Sequence, residues 1–363
     1  ERAMDAKDLV ARLGGDEFAI LVHDVKAAQD VERRAKAIIE ALTEPVFIDD
    51  VQVSTRVSVG VTIIVGDDNT ADAAEVMKRA DLALYAAKSD GRGCFKHFEF
   101  GMDQVARERR ELEIGLRQAV SRGELELHYQ PLMNVDTGRV SCCEALIRWN
   151  HPERGLIMPD AFISLAEETG IIVDIGEWVI RQATQEAANW PDNVRVAINL
   201  SPIQMRSATL ISTVVNAIAH AGIAPSRLEL EITESVFMQD NAVNLAILQK
   251  LKDLGVRIAL DDFGTGYSSL NYLRSFPFDK IKIDRCFVEG INEREDCQTI
   301  VRAVTSIATS LGMSTTAEGV EELDQLDQLR REGCTEIQGY YFAKPERSPD
   351  LANFYARERP AAA

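Results

Sequence analysis

Hydrophobic and polar positions along the chain fall into a regular pattern from about residue 124 onward. Short β-like runs alternate there with longer segments whose apolar residues recur three and four positions apart, which is the period of an amphipathic helix. Two clear helical segments run from Ala242 to Leu254 and from Cys297 to Leu311. The predicted strands are residues 125–132, 139–148, 194–200, 228–233, 256–261, 279–283, 313–317 and 336–342.

Strands that alternate with helices predict an α/β fold, and eight of them in about 240 residues predict a (β/α)₈ TIM-like barrel. The first two predicted strands are joined only by a short turn from Asn134 to Gly138. We therefore expect these two strands to be antiparallel, unlike the rest of the barrel.

The first hundred residues predict a smaller α/β unit. Residues 9–22 place two apolar runs around Gly14-Gly15, which is a strong hairpin signal. A strand at 53–64 and an amphipathic helix at 72–88 follow. The expected domains are an α/β domain over residues 1–100, a helical linker over 101–112 and the barrel domain over 113–357.

Composition and charge narrow the possible functions. The 363 residues are 46% hydrophobic and 27% charged, with a formal net charge of -18. So acidic a chain can make few phosphate contacts with a nucleic-acid polymer, although bound cations could still recruit a small phosphorylated ligand. No apolar run approaches the roughly 20 residues that a membrane-spanning helix needs. The six cysteines form no Cys-x-x-Cys pair, which favours reduced thiols and a cytoplasmic location.

Polar side chains stand at the carboxyl ends of seven successive predicted strands. In a barrel of this kind those ends form the functional face. The fifth strand ends in Asp261-Asp262, and because neighbouring strand residues point to opposite faces, we expect one carboxylate inside the barrel and the other over its rim. The strand-end residues are Glu144, Arg148, Asn199, Glu231, Glu234, Asp261, Asp262, Lys282, Glu318, Glu321 and Gln338.

Converging carboxylates predict a metal site. Two like charges about 4 Å apart repel by roughly 4 kcal/mol at an effective dielectric near 20, so cations are expected among them. Carboxylate and amide oxygens suit Mg²⁺, Mn²⁺ or Ca²⁺ better than zinc. Two such ions could clamp a phosphodiester and activate water, with Arg148 on a phosphate oxygen and Lys282 on the water. Any one of these residues could instead cap a helix or face solvent, but their recurrence on seven strands favours a site.

At these residues the chain resembles the EAL-domain family of cyclic di-GMP phosphodiesterases. The resemblance covers about residues 110–357 and implies metal-dependent hydrolysis of cyclic di-GMP to linear pGpG. The motifs that carry it are Glu144-Ala145-Leu146, Asn199, Glu-x-Thr-Glu at 231–234, DDFGTGYSSL at 261–270, KID at 282–284, AEGVE at 317–321 and QGYYFAKP at 338–345.

The resemblance implies a role for each of these positions. The implied metal ligands are Glu144, Asn199, Glu231 and Asp261 for one ion, with Asp262 the chief ligand of the second and Glu318 completing the shell. The implied catalytic residues are Lys282 and Glu321 on the attacking water, together with Asp261 and Glu144. The implied substrate contacts are Gln130, Arg148 and Gln338. Glu234 would anchor the loop at 263–269, whose ordering couples dimerisation to catalysis.

The same resemblance implies two divalent cations, Mg²⁺ or Mn²⁺, with Ca²⁺ binding as an inhibitor, and a homodimer formed through the EAL domain. Every motif position carries the residue of the active family members, which favours an enzyme. A non-catalytic cyclic di-GMP receptor remains the alternative at this point.

The N-terminal residues resemble the second half of a GGDEF domain, the diguanylate cyclase fold. The motifs are Arg12-Leu13-Gly14-Gly15-Asp16-Glu17-Phe18, Ala80-Asp81, and Lys88 with Arg92. The family's first strand, with its metal-binding Asp, and its guanine-recognising helices would lie before residue 1. We therefore expect a partial GGDEF domain without cyclase activity here. A natural protein that continues upstream would be a bifunctional cyclase and phosphodiesterase that binds GTP at this domain.

Overall fold

The computed structural model describes residues 7–23, 25, 27–43, 45–48, 51–53, 55–64, 72–237, 241–264, 273, 276–349 and 351. Residue contacts divide the chain into two compact units, Glu1–Leu112 and Glu113–Ala363. Among the described helices, none has both the length and the apolar character needed to cross a membrane.

The described part of the unit Glu1–Leu112 is built from short strand pairs, two helices and the first part of a third. The predicted hairpin is present, because the first two strands pair antiparallel and Gly15 takes a φ of +55° in the turn between them. Its elements are β1 (Leu9–Gly14), β2 (Glu17–Leu21), α1 (Ala28–Thr43), β3 (Val46–Ile48), β4 (Val51–Val53), β5 (Val59–Val61), α2 (Ala73–Ser89) and β6 (Phe95–His97).

The single strand predicted at 53–64 is wrong in its extent. The strand β4 ends at Val53 and pairs with β3, whereas β5 covers only Val59–Val61 and pairs with β6. The apolar run at 53–64 thus contributes residues to two different strand pairs, β3 with β4 and β5 with β6. The described residues between β4 and β5 are not in a strand. Gly60 lets α2 approach closely, since a Cβ there would lie 2.1 Å from the carbonyl oxygen of Ala80.

The predicted linker at 101–112 is the first part of a longer helix, α3 (Met102–Arg122). No glycine or proline interrupts it before Gly115, where the ring of Trp149 packs so closely that a Cβ would lie 3.1 Å from it. Leu116 and Ala119 are buried on the same helix. The second half of this helix therefore belongs to the core of the barrel unit.

Eight strands close into a barrel, which confirms the predicted fold class. The strand that starts the barrel pairs antiparallel with both of its neighbours, as expected, and the other neighbouring pairs are parallel. The barrel strands are β7 (Leu125–Asn134), β8 (Val140–His151), β10 (Arg195–Asn199), β11 (Leu228–Thr233), β12 (Arg257–Phe263), β13 (Lys280–Ile283), β14 (Ser314–Ala317) and β15 (Glu336–Ile337). Pairing of β10 with β8 closes the ring, and β9 (Gly155–Ile157) extends β8 as a hairpin.

Helices follow most of the parallel strands, and the two helical segments predicted from the apolar periodicity are among them. Within the described residues the helices of the barrel unit after α3 are α4 (Ile163–Thr169), α5 (Ile172–Ala187), α6 (Pro202–Met205), α7 (Leu210–Ala221), α8 (Asn241–Asp253), α9 (Arg285–Glu289), α10 (Glu295–Ser310) and α11 (Leu323–Arg331). Buried Arg227 donates hydrogen bonds to the carbonyl oxygens of Ala187 and Val194, so it ties the end of α5 to the entry of β10.

The last barrel strand is shorter than the predicted run at 336–342. The strand β15 ends at Ile337, and the chain then turns over the segment that follows β14. Gly339 lies so close to Val320 that a Cβ would be 2.0 Å from its carbonyl oxygen, and the backbone N–H of Tyr341 donates to that oxygen. The turn leaves Gln338 at the carboxyl end of the barrel.

The lower part of the barrel interior contains a buried charged network, which we call the lower charge layer: Arg195, Glu229, Lys280 and Glu336. Lys280 is fully buried and forms ion pairs with both carboxylates, at 2.7 Å from Glu336 Oε2. Arg195 donates to Glu336 Oε1 at 2.6 Å. Because these contacts join β10, β11, β13 and β15 around a closed ring, they lie inside the barrel.

The lower charge layer should make stability depend on pH. Burial alone would raise the pKa of Glu336, but the positive charges of Lys280 and Arg195 have the larger effect and lower this pKa to about 2. A carboxyl group with a lowered pKa stabilises the folded state at pH values above its pKa in the unfolded state, near 4.5. That contribution, about 3 kcal/mol, is lost as the pH falls toward 2. We expect the difference in unfolding free energy between wild type and Glu336→Gln to narrow between pH 5 and pH 3, measured by urea denaturation.

A suitable control for that series is Glu293→Gln, which changes an exposed carboxylate. Its stability difference from wild type should stay small across the same pH range. A Glu336→Gln difference that does not change with pH would contradict the assigned role of the ion pair.

Candidate active site at the mouth of the barrel

Lys282 of β13 lies between four carboxylates at the carboxyl ends of the strands. Its Nζ is 2.6 Å from Glu231 Oε2, 2.6 Å from Glu318 Oε1, 3.1 Å from Asp261 Oδ2 and 3.9 Å from Glu144 Oε1. Only 1% of the Lys282 side chain is exposed, so these charges meet away from solvent. We call these five residues the upper charge layer. The structure therefore brings together residues from β8, β11, β12 and β13 and the segment after β14.

Two amide side chains complete the hydrogen bonding of Glu144, and a third amide lies next to one of them. Asn199 donates to Glu144 Oε1 and Gln338 donates to Glu144 Oε2, each at 2.6 Å. Gln338 also donates to Gln130 Oε1 at 3.0 Å, and Gln130 donates to the carbonyl oxygen of Ala343 at 3.1 Å. Both oxygens of Glu144 are thus held in place by Asn199 and Gln338, and Gln130 joins this network through Gln338.

The upper charge layer contains four carboxylates around a single lysine, so one ammonium cannot neutralise all of them in the ionised form. Burial raises the pKa of Glu231 well above its ordinary value, despite the opposing effect of Lys282. Burial likewise raises the pKa of Glu318 to about 7. The neighbouring carboxylates raise the pKa of Lys282 well above its usual range, although burial opposes them. The site therefore favours positive charge and retains protons in the absence of other cations.

The donor set fits a hard divalent cation. Glu231 Oε1 is buried and has no hydrogen-bond partner among the described residues. Carboxylate oxygens are the ligands that Mg²⁺, Mn²⁺ and Ca²⁺ prefer. Within the described ranges, no three acidic, histidine or cysteine side chains are already arranged to hold a metal, and the ammonium of Lys282 lies where the carboxylates converge. A cation at this point would have to displace that ammonium from at least some of its partners.

Asp261 and Asp262 differ in backbone geometry. Asp261 is buried and faces Lys282, as expected for the inward residue. Asp262 has a φ of +53°, and the pairing of β12 with β13 shifts register between Leu260 and Phe263. The second carboxylate therefore lies in a β-bulge, which re-aims a side chain that regular strand geometry would turn away. Burial and the charge of Asp261 raise the pKa of Asp262.

The left-handed backbone at Asp262 predicts a difference between two substitutions that remove the same charge. Glycine adopts positive φ freely, whereas alanine is strained there by its Cβ. We expect Asp262→Gly to be more stable than Asp262→Ala by about 1 kcal/mol, measured by urea denaturation without added metal. Equal stabilities would show that position 262 relaxes out of this conformation in the variants.

Glu234 contacts the start of the predicted loop. Its Oε1 accepts a hydrogen bond from the backbone N–H of Gly264 at 3.3 Å. Gly264 has a φ of +98° and lies against the ring of Phe287. Residues 265–269 of the loop predicted at 263–269 lie outside the described residues, so its proposed coupling to dimerisation stays a prediction.

Arg148 and Glu321 lie on segments beside the upper charge layer. Arg148 is buried and donates to the carbonyl oxygen of Ile147 at 2.8 Å; burial lowers its pKa, while Tyr340 and Glu144 act in the opposite direction. The backbone N–H of Glu321 donates to Oε1 of buried Gln325 at 2.8 Å, which fixes the chain after β14.

The sequence interpretation missed the lower charge layer and Gln325. A signal for the layer exists in the strands themselves: Glu229 precedes Glu231 by two positions, and Lys280 precedes Lys282 by two. In a strand, residues two apart share one face, so both pairs point the same way. Their burial depends on barrel closure, which the alternation alone does not show.

Comparison with known proteins identifies the family. Residues 115–345, which make up more than half of the chain, match the EAL domain family. The chain belongs to the EAL-domain family. Residues 1–94 match the family described as diguanylate cyclase, GGDEF domain. Both sequence resemblances are therefore confirmed, and the barrel unit is an EAL domain.

Several relatives of this EAL protein have names that describe an activity. The bifunctional diguanylate cyclase/cyclic di-GMP phosphodiesterase MucR of Pseudomonas aeruginosa is 40% identical over 344 residues, which are 94% of this chain and 50% of that protein. The cyclic di-GMP phosphodiesterase PdeR of Escherichia coli is 37% identical over 357 residues, which are 98% of this chain and 53% of that protein. The chain thus spans about half the length of these curated relatives.

A solved structure supports the fold of the EAL domain. The PaMucR phosphodiesterase in complex with c-di-GMP is 42% identical and superposes with a TM-score of 0.63. The match covers 66% of this chain and 98% of that chain.

Proposed function

We propose that the EAL domain hydrolyses cyclic di-GMP to linear pGpG with two divalent cations, Mg²⁺ or Mn²⁺. The observation that carries the proposal is the convergence of Glu144, Glu231, Asp261 and Glu318 on buried Lys282, with one oxygen of Glu231 unpartnered among the described residues. The names of MucR and PdeR support the substrate.

The proposed metal ligands are the four carboxylates of the upper charge layer together with Asn199 and Asp262. Divalent ions bound there would neutralise phosphate charge and lower the pKa of a bound water. Glu144, Asn199, Glu231 and Asp261 would hold one ion, and Asp262 with Glu318 the second. Asn199 now donates through its nitrogen to Glu144, so its side chain would rotate to offer oxygen. Ca²⁺ would occupy the same oxygens and act as an inhibitor.

Lys282 is proposed to act as a cation rather than as a base. The ammonium group of a lysine ordinarily keeps its proton near neutral pH, so Lys282 can donate a hydrogen bond to the attacking water or to a phosphate oxygen. Glu321 is proposed to orient the same water. Water adds to phosphorus, the bond from phosphorus to the 3′ oxygen breaks, and the proton that the water gives up ends on that leaving oxygen as a 3′ hydroxyl. Arg148 steadies the phosphate through charge-assisted hydrogen bonds.

Substrate binding is proposed to use the amides that lie beside Glu144. Gln130 and Gln338 are buried and hydrogen-bonded to each other, which pre-orients both for a ligand in the mouth. Glu234 is proposed to anchor the following loop through Gly264 and to couple a homodimer, formed through the EAL domain, to catalysis.

The proposed location is the cytoplasm, which the six free cysteines support. For the N-terminal unit we propose that GTP binding and cyclase activity belong to a longer form of the protein. The match to the GGDEF family and the bifunctional name of MucR support that proposal.

The test is a hydrolysis assay on the purified chain with Mg²⁺, Mn²⁺, Ca²⁺ or chelator, in which chromatography separates cyclic di-GMP from pGpG. We expect pGpG with Mg²⁺ or Mn²⁺ and none with Ca²⁺ or chelator. Saturable binding of cyclic di-GMP without product under every condition would overturn the enzyme proposal in favour of a receptor. Adding GTP to parallel samples tests whether the N-terminal unit affects the rate.

A further inference from the structure

Two parallel ion pairs join β11 to β13 inside the barrel. Glu231 pairs with Lys282 in the upper charge layer, and Glu229 pairs with Lys280 in the lower one. The partners are 51 residues apart in both pairs, so the lower pair repeats the upper pair two positions earlier on each strand. Both pairs pass over β12, which lies between the two strands.

The two layers differ in how completely their oxygens are bonded. In the lower layer, Glu229 accepts from Lys280 and from Arg257 at 3.2 Å. Glu336 accepts from Arg195 and Ser141 at 2.6 Å each, and from Thr316 at 3.3 Å. Every oxygen of these two carboxylates has a donor. In the upper layer Glu231 Oε1 has none among the described residues, so only the upper layer is prepared to accept a further cation.

Stability alone does not explain the lower layer. Replacing a buried ion pair by apolar residues of similar volume is often neutral or stabilising, because desolvation offsets the attraction. The interior of a barrel of this type is ordinarily filled by branched apolar side chains. Charged hydrogen bonds, unlike apolar contacts, fix both distance and direction between strands. The layer therefore supplies geometric control of β11 and β13.

Such control is needed when a metal binds. A cation among the carboxylates would compete with Lys282 for Glu231, Asp261 and Glu318, and it would weaken or open the upper pair that joins β11 to β13. We propose that Glu229, Lys280 and Glu336 are positioning residues that hold Glu231 and Lys282 at the spacing required for metal binding after the upper pair has opened. This inference rests on the proposed metal-dependent function.

The decisive variant is Glu229→Leu/Lys280→Met, which replaces the lower pair by apolar side chains of similar size. We expect it to fold, with a melting temperature near that of wild type, and to bind Mn²⁺ about 10- to 100-fold more weakly, the range for residues that orient metal ligands. Calorimetric titration with Mn²⁺ in the absence of substrate gives the affinity. At saturating Mn²⁺, the KM for cyclic di-GMP should be close to that of wild type.

Two further variants keep the test decisive. Glu336→Gln retains the size of the side chain and serves if the double variant does not fold; we expect its Mn²⁺ affinity to fall between those of wild type and the double variant. Thr305→Val removes a buried hydroxyl that donates to the carbonyl oxygen of Glu332, on a helix outside the barrel. This control should lose stability without losing Mn²⁺ affinity.

Wild-type Mn²⁺ affinity in Glu229→Leu/Lys280→Met, or in Glu336→Gln if the double variant does not fold, would overturn the proposal. So would an affinity loss in Thr305→Val equal to theirs, since stability would then explain it. If wild type binds Mn²⁺ but forms no pGpG, the proposed function is wrong. The ratio of Mn²⁺ affinities between wild type and the variants still tests the positioning role in that case.

Discussion

Replacing Glu231 with glutamine should lower kcat/KM for cyclic di-GMP on the order of 10³-fold, since a lost metal ligand costs several kcal/mol of transition-state stabilisation. Glu231 is buried, and its Oε1 is the one oxygen of the upper charge layer that is both buried and unpartnered among the described residues. An amide keeps the shape of the side chain but removes the charge that would hold a cation.

The same change should stabilise the metal-free protein. Burial and the surrounding carboxylates raise the pKa of Glu231. At pH values above the pKa of an unfolded glutamate, near 4.5, this carboxyl group therefore destabilises the folded state, which must either keep it protonated or bury it as an ion. Glutamine removes that penalty. A higher urea midpoint at pH 7 together with lost turnover would separate a role in metal binding from a role in folding.

Glu293→Gln is the matched control, because it makes the same chemical change on an exposed side chain. It should retain wild-type rates. Turnover by Glu231→Gln within tenfold of wild type would contradict the assignment of this carboxylate as a metal ligand.

Replacing Lys282 with methionine should damage both folding and turnover. Four carboxylates would lose their shared ammonium, and removing one partner of a buried ion pair typically costs about 3–5 kcal/mol. The loss of a group that orients the attacking water typically lowers kcat by about 10² to 10⁴. We expect both losses in the same variant.

Added Mn²⁺ distinguishes the two losses. Without Lys282 the carboxylates have no competing cation, so Mn²⁺ should raise the melting temperature of Lys282→Met by more than it raises that of wild type, while turnover stays low. Lys250→Met, an exposed lysine on α8, provides the control and should match wild type in both measurements. An equal rise in both proteins would show that the ammonium and the metal do not compete.

The barrel and its mouth could be predicted from the sequence because each apolar strand ends abruptly in polar residues. Glu144, Asn199, Glu231, Asp261 and Lys282 are recognisable for that reason, and the structure brings them together. Their roles in metal binding and catalysis are proposals, which the variants Glu231→Gln and Lys282→Met test.

Other features leave no such mark. The bulge at Asp262 is absent from the pattern because aspartate tolerates positive φ and no glycine marks the position. Glu229 and Lys280 look like the solvent-facing residues of an alternating strand until the barrel closes over them. The end of β15 depends on the contact between Gly339 and Val320, which are far enough apart in sequence that only the fold reveals it.

The lower charge layer also restricts how the protein can evolve. Changing Glu229, Lys280 or Glu336 alone leaves a buried charge without its partner, at a cost of about 3–5 kcal/mol against a total stability of about 5–15 kcal/mol for a typical domain. A lineage that substitutes one of them therefore passes through a less stable ancestor. Glu229 and Lys280 are therefore expected to be retained together or replaced together, whereas their apolar neighbours can change one at a time.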